Sequence, residues 1–149
     1  MNISNAFRPL SAVLALALAA CNPPGPTVGQ PVPVLYLTGQ EYYSTGGKNF
    51  IRYNYDVLNK DLYAPDMFAA APTLPPCGLN TNSARTWVDF YESNGTRIYG
   101  FCSLGSPADL GRIWFAKEEG VVPPSWVYIE MTDRQTNVTY KSNVAETTP

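Results

Sequence analysis

The tightest constraint on the fold lies between Trp87 and Cys102, WVDFYESNGTRIYGFC, where two runs rich in aromatic and β-branched residues flank Asn94-Gly95. An Asn-Gly pair tolerates the positive φ that a two-residue type I′ turn demands, so the segment reads as a β-hairpin. With Asn94 and Gly95 as the loop, Glu92 faces Arg97, Tyr91 faces Ile98, Phe90 faces Tyr99, Asp89 faces Gly100, Val88 faces Phe101 and Trp87 faces Cys102. Alternation then gives one face Val88, Phe90, Tyr99 and Phe101, and the other Trp87, Tyr91, Ile98 and Cys102. Neither face suits open water. The hairpin is therefore expected within a sheet covered, at least in part, on both sides.

Composition agrees with strands and turns. Ten Tyr and fourteen Pro accompany only 15% charged residues, while 45% hydrophobic residues in a 149-residue chain suffice for one domain with a real core. A net charge of −2 and a pI near 5.0 leave no electrostatic footprint for nucleic acid. The chain has no His, which removes the commonest general base, the commonest metal ligand and every Ser-His or Cys-His nucleophile pair. No S-x-x-K is present either.

Residues 1–20 read as a targeting segment. Arg8 and the amino terminus form a positive region, and Leu10 to Ala20 is an apolar run too short to span a bilayer. The run ends in Leu18-Ala19-Ala20-Cys21, which resembles the lipobox of bacterial lipoproteins: an aliphatic residue, two small residues and the cysteine. The resemblance implies cleavage before Cys21 and its acylation by diacylglycerol and an N-linked chain, several chains being what a stable anchor needs. Asn22, in place of Asp, resembles cargo sent on to the outer membrane. An ordinary secretory signal with a chance cysteine is the alternative. With Cys21 given to lipid, Cys77 and Cys102 remain in an oxidising compartment, where a disulfide is the natural reading and two unpaired thiols the alternative. Closing that loop is worth ~3.5 kcal/mol in the chain-entropy model. Trp87, placed opposite Cys102, is expected to pack on the cystine.

Residues 21–33, rich in Pro and Gly, form a semi-extended tether, residues 34–145 the domain and residues 146–149 a polar tail. Val32 to Thr38 is a first strand. Glu41 to Lys48 follows as a loop turning at Gly46-Gly47 and exposing Tyr42 and Tyr43. Asn49 to Leu58 alternates cleanly, with Ile51, Tyr53, Tyr55 and Val57 on the buried face. Asn59 to Pro76 breaks the rhythm, with a helical turn or two begun by Pro65. Asp56, Asn59, Asp61 and Asp66 gather oxygen ligands there without the EF-hand spacing, so they read first as solvated loop acids. Leu110 to Lys117 reads as a strand rather than a helix begun at Ser106. Ser125 to Thr132 and Val138 to Val144 are the last two strands.

Seven strands at short spacing predict an all-β, single seven-stranded sandwich, with a closed barrel as the alternative. The portion from VPPSWVYIEMTDR to TYKSNV resembles the last hairpin of fibronectin type III and related immunoglobulin-like domains: a Tyr-bearing strand after a Pro-rich turn, then a strand carrying Ser142-Asn143. Asp89, beside Trp87 and Tyr91, is the one carboxylate that suggests a sugar site, against a structural role at a strand edge. The expected function is a non-catalytic interaction or accessory subunit of an envelope assembly, held on the membrane through Cys21, with protein partners and no cofactor or metal. The alternative is an envelope-polysaccharide or other ligand-binding module using Tyr42, Tyr43, Tyr63, Trp114 and Trp126.

Overall fold

The structure, a computed structural model, describes residues 30–79 and 83–148. Cys21, the rest of the lipobox and the first part of the tether lie outside the described residues. Eight strands form two antiparallel sheets: β1 (Leu35–Thr45), β2 (Lys48–Val57), β3 (Thr86–Glu92), β4 (Arg97–Phe101), β5 (Ile113–Glu118), β6 (Trp126–Asp133), β7 (Val138–Lys141) and β8 (Ala145–Glu146). One sheet has the order β1-β2-β5 and the other β4-β3-β6-β7, with β8 also pairing with β6. The chain is an all-β sandwich. First, second and fifth strands lie opposite third, sixth and seventh, the division used by immunoglobulin-like sandwiches, with β4 beside β3.

The period-2 pattern of the sequence decides which side chains fill the interlayer. Tyr53, Tyr55 and Val57 of β2, Val88 and Phe90 of β3, Ile113 and Phe115 of β5, and Val127, Ile129 and Met131 of β6 are all buried in one cluster. Tyr55, Phe90 and Phe115 meet across the two sheets with ring centroids 5.3 to 5.9 Å apart. Fully burying a side chain of this size is worth ~1.5–3 kcal/mol.

The central hairpin forms, with a different turn. The Gly95 N–H donates to Glu92 O at 2.8 Å and the Glu92 N–H to Thr96 O at 2.8 Å. Gly95 has φ 90°, and Asn94 is not among the positive-φ residues. Ser93 and Asn94 thus make an ordinary turn and Gly95 alone supplies the left-handed residue, giving a bulged loop instead of type I′. Val88↔Phe101, Asp89↔Gly100 and Phe90↔Tyr99 pair as expected, but the bulge slips the register so that Tyr91 meets Arg97, not Ile98.

Four further expectations need correction. Among the described residues there are eight strands rather than seven, because the last predicted strand, Val138 to Val144, ends at Lys141 as β7 and a further strand, β8, forms beyond it at Ala145–Glu146. The sheet extends past residue 145, since Glu146 pairs with Trp126 and Thr147 is buried. Glu41 to Lys48 is not a loop: β1 continues to Thr45, and only Gly46 and Gly47, both at positive φ, turn the chain. Before β5, Pro107–Arg112 is a 3-10 turn held by a capping box between Ser106 and Asp109, so the helix and strand signals of that stretch apply in succession.

The Pro-rich insertion is fastened to one end of the second sheet. Cys77 and Cys102 are bonded, with Cα atoms 6.2 Å apart, inside the usual range. Arg85 donates to both oxygens of Asp133, at 2.8 and 2.6 Å, and reaches Asp66 at 3.2 Å. Arg134 donates to Pro75 O and Ala84 O, and its guanidinium lies 4.2 Å from the Trp87 ring centroid. Trp87 is therefore covered by a cation, a partner that sequence reading did not assign to it.

Intact-mass measurement of the oxidised domain after alkylation is expected to show Cys77 and Cys102 unmodified until reductant is added. Reduction is expected to cost about 2–4 kcal/mol of stability. Asp133 provides a second test. Its carboxyl is held down to about 2 chiefly by the Arg85 guanidinium. A depressed carboxylate contributes stability that is complete above its unfolded value near 4 and is lost as pH falls through its folded value. Melts of wild type and Asp133→Asn should differ by about 2 kcal/mol at pH 5–7, and the difference should close between pH 4 and 2.

Candidate functional site

The outward face of the β1-β2-β5 sheet carries a continuous stack of flat groups. Phe50 lies on Tyr43, with centroids 5.4 Å apart. The Arg52 guanidinium lies 5.0 Å from the Tyr43 centroid and 4.5 Å from that of Trp114. Trp114 in turn stacks on Tyr99 at 5.4 Å, reaching over the sheet edge to β4. The strand pattern explains the placement: Ile51 and Tyr53 point into the core, so Phe50 and Arg52 point out. Register supplies the neighbours, with Tyr43 paired to Phe50 and Asn54 to Trp114. Arg52 Nη1 also donates to Glu41 at 3.3 Å, while its Nε is buried without a hydrogen-bond partner. The ring faces on either side are what stabilise that cation.

At the end of the same hairpin, a shallow groove of about 250 Å³ is lined by Tyr42, Tyr43, Ser44, Asn49, Phe50 and Glu119. Ser44 Oγ donates to Asn49 Oδ1 at 2.6 Å, and Asn49 Nδ2 donates to Glu119 at 3.0 Å. Tyr42 pairs with Ile51 and so lies on the core side of the sheet, yet it is 69% exposed. The tip of the hairpin thus overhangs the sandwich, and Val121 and Val122 stand exposed on the loop that begins beside Asn49.

Of the five aromatics expected to form a binding surface, Tyr42, Tyr43 and Trp114 do belong to this hairpin and its outer face. Tyr63 does not. It is buried, and its hydroxyl donates to Pro31 O at 2.7 Å, which makes it a clamp on the entering chain. Trp126 stands apart, in a groove with Leu35, Tyr36, Leu37 and Val144. Phe50, Arg52 and Tyr99 complete the stack and were missed. Strand alternation points Phe50 and Arg52 outward, but reading Tyr43 as a loop residue hid their partner.

Asp89 is held structurally. Arg97 donates to it at 2.8 Å, and the bridge lies over Gly100, where an added Cβ would meet both side chains at 2.2 Å. Tyr91 stacks on Tyr128 at 5.3 Å, and burial, then the Asp89 and Glu130 carboxylates, push the Tyr91 phenol up. Three of the four loop residues are engaged: Asp56 binds Lys60 at 2.8 Å, the Asn59 side chain binds residues 32 and 34, and Asp66 binds Arg85, while Asp61 is exposed. Among the described residues no three His, Cys, Asp or Glu side chains gather as a metal set. The chain matches no protein-family model, no curated protein and no solved structure, so the site is read from its own geometry.

Arg52→Ala is expected to lower stability by about 1–2 kcal/mol and to red-shift the tryptophan emission as Trp114 loses its cover. Tyr42→Ala, at the overhanging tip, should change stability by less than about 0.5 kcal/mol. Thermal melts and emission spectra of the two variants make the check.

Proposed function

We propose that the chain is a lipid-anchored lipoprotein of the bacterial envelope, acylated at Cys21 and carried to the outer membrane, with a fibronectin type III-like domain serving as a non-catalytic accessory subunit of an envelope assembly. The observation that carries this reading is the overhanging β1–β2 hairpin. It holds Tyr42 in solvent on a two-stranded arm, and Val121 and Val122 are exposed on the loop that follows β5. Aromatic side chains presented on a stiff element lose little entropy on binding, which suits a contact with a partner protein. The strand division between the sheets supports the fibronectin-like part of the reading. Engagement of Asp56, Asp89, Asp109 and Asp133 in ion pairs favours a binding role over an acid–base one.

A second reading, a module for envelope polysaccharide, is favoured by the groove itself. Asn49, Ser44 and Glu119 offer hydrogen-bonding groups beside the free ring of Tyr42.

The test is purification of the acylated protein from membranes in mild detergent, as wild type and as a Tyr42→Ser, Val122→Ser variant. A partner retained by the wild type and lost by the equally stable variant is the expected outcome; a lone monomer from both sinks the accessory-subunit reading. Titration with soluble envelope glycans, followed by tryptophan emission, decides the second reading.

A further inference from the structure

The end of the sandwich where the chain enters carries its own exposed apolar group. Val32 is 63% exposed, Val34 40%, Leu58 67% and Leu62 67%. Backbone bonds and one side chain hold them together. The Leu58 N–H donates to Val34 O at 2.8 Å and the Leu62 N–H to Asn59 O at 3.1 Å. The Asn59 side chain accepts from the Val34 N–H at 3.0 Å and donates to Val32 O at 2.9 Å. Pro33 and Leu35 turn into the protein, so Val32 and Val34 turn out, and the core makes no demand on them. A single exposed Val needs no explanation; four large aliphatic side chains at one end do.

The length of the preceding chain says what lies nearby. Tyr63 fixes Pro31. Between it and Cys21 stand only Asn22 to Gln30, NPPGPTVGQ. Those residues span at most ~30 Å fully extended, and ~15–18 Å as a flexible coil. The described chain takes over from them at Gln30 and Pro31, next to Val32.

Resting on the proposed acylation of Cys21, we propose that this end is a foot on the bilayer: Val32, Val34, Leu58 and Leu62 settle at the lipid interface that holds the acyl chains. The charge pattern limits the depth. Lys60 is neutralised by Asp56 at 2.8 Å, and Asp61 is exposed beside Leu62, so the contact is with the boundary between headgroups and acyl chains. The short tether makes this contact intramolecular, so a small apolar area suffices where it would not hold a free protein. Orientation follows. β1 runs away from the foot for eleven residues, which puts the Gly46-Gly47 turn ~35 Å and Tyr42 ~23 Å along the strand from it.

The test is hydrogen exchange read by mass spectrometry on the full acylated chain in vesicles of phosphatidylethanolamine and phosphatidylglycerol, against Cys21→Ala chain with the same vesicles. Amides of residues 58–63 are expected to exchange about tenfold more slowly in the acylated chain, and those of residues 42–48 at the same rate in both. A Leu58→Asp, Leu62→Asp variant, acylated and with an unchanged circular dichroism spectrum, should return residues 58–63 to the faster rate. Equal rates in an acylated chain whose mass is correct overturn the foot and leave the anchor standing, as does slowing that survives the double substitution. A mass showing no acyl group on Cys21 overturns both.

Discussion

The contact on which the remainder depends is the aromatic interlayer of Tyr55, Phe90 and Phe115. The three rings come from β2, β3 and β5, so one cluster ties both sheets together. Tyr53 extends it by stacking on Phe115 at 5.0 Å. A buried phenol needs a partner for its hydroxyl, and Tyr55 donates to Glu146 O at 3.1 Å. That bond draws the C-terminal residues onto the sandwich, where Gln40 Nε2 binds Thr147 O at 2.7 Å and Asn143 binds both backbone groups of Leu35. The first and last strands are thereby joined although they belong to different sheets. With the interlayer set, every outward position on β2 is set as well, and the Arg52 stack follows as its mirror.

The stack and the hairpin tip look alike in composition and differ in physics. Phe50 and Tyr43 lie roughly parallel, as do Trp114 and Tyr99, and the Arg52 guanidinium sits over both Tyr43 and Trp114. Such an arrangement lies on the outer face of a three-stranded sheet that no further layer among the described residues covers. Among the described residues Tyr42 belongs to no ring pair, and it is exposed. Of the two, the tip is the part with an uncovered ring, and it is there that the proposed binding role rests.

Much of this was legible in the residues. The clean alternation of Asn49 to Leu58 gave β2 and its buried face, and the aromatic runs around Asn94-Gly95 gave β3, β4 and most of their register. Where reading failed, two local solutions competed. Asn-Gly suits a type I′ turn, but Gly95 alone at positive φ satisfies a bulged loop equally well, and only the pairing of Tyr91 with Arg97 distinguishes them. Tyr42 to Thr45 lacks alternation because one side of that stretch has no sheet opposite, so pattern gives no sign of a strand that backbone pairing nonetheless extends. Tyr63 was chosen as a surface residue on type alone. Its role depends on Pro31, thirty-two positions away, and no local rule brings the two together.

The two ends of the sandwich carry different kinds of constraint. At the entry end the cystine, the Arg85–Asp133 pair and Arg134 hold a Pro-rich insertion that also buries Tyr63, Met67 and Phe68 in the core. Polar and covalent bonds therefore add to buried apolar area at this end. At the opposite end the hairpin is held by antiparallel pairing that runs from Leu35↔Val57 to Thr45↔Lys48, and by Lys48 with Glu118 at 2.8 Å. Surface ion pairs of that sort contribute little, which leaves strand pairing and the Arg52 stack as the support. An arm supported in that way can present Tyr42 without needing a core beneath it.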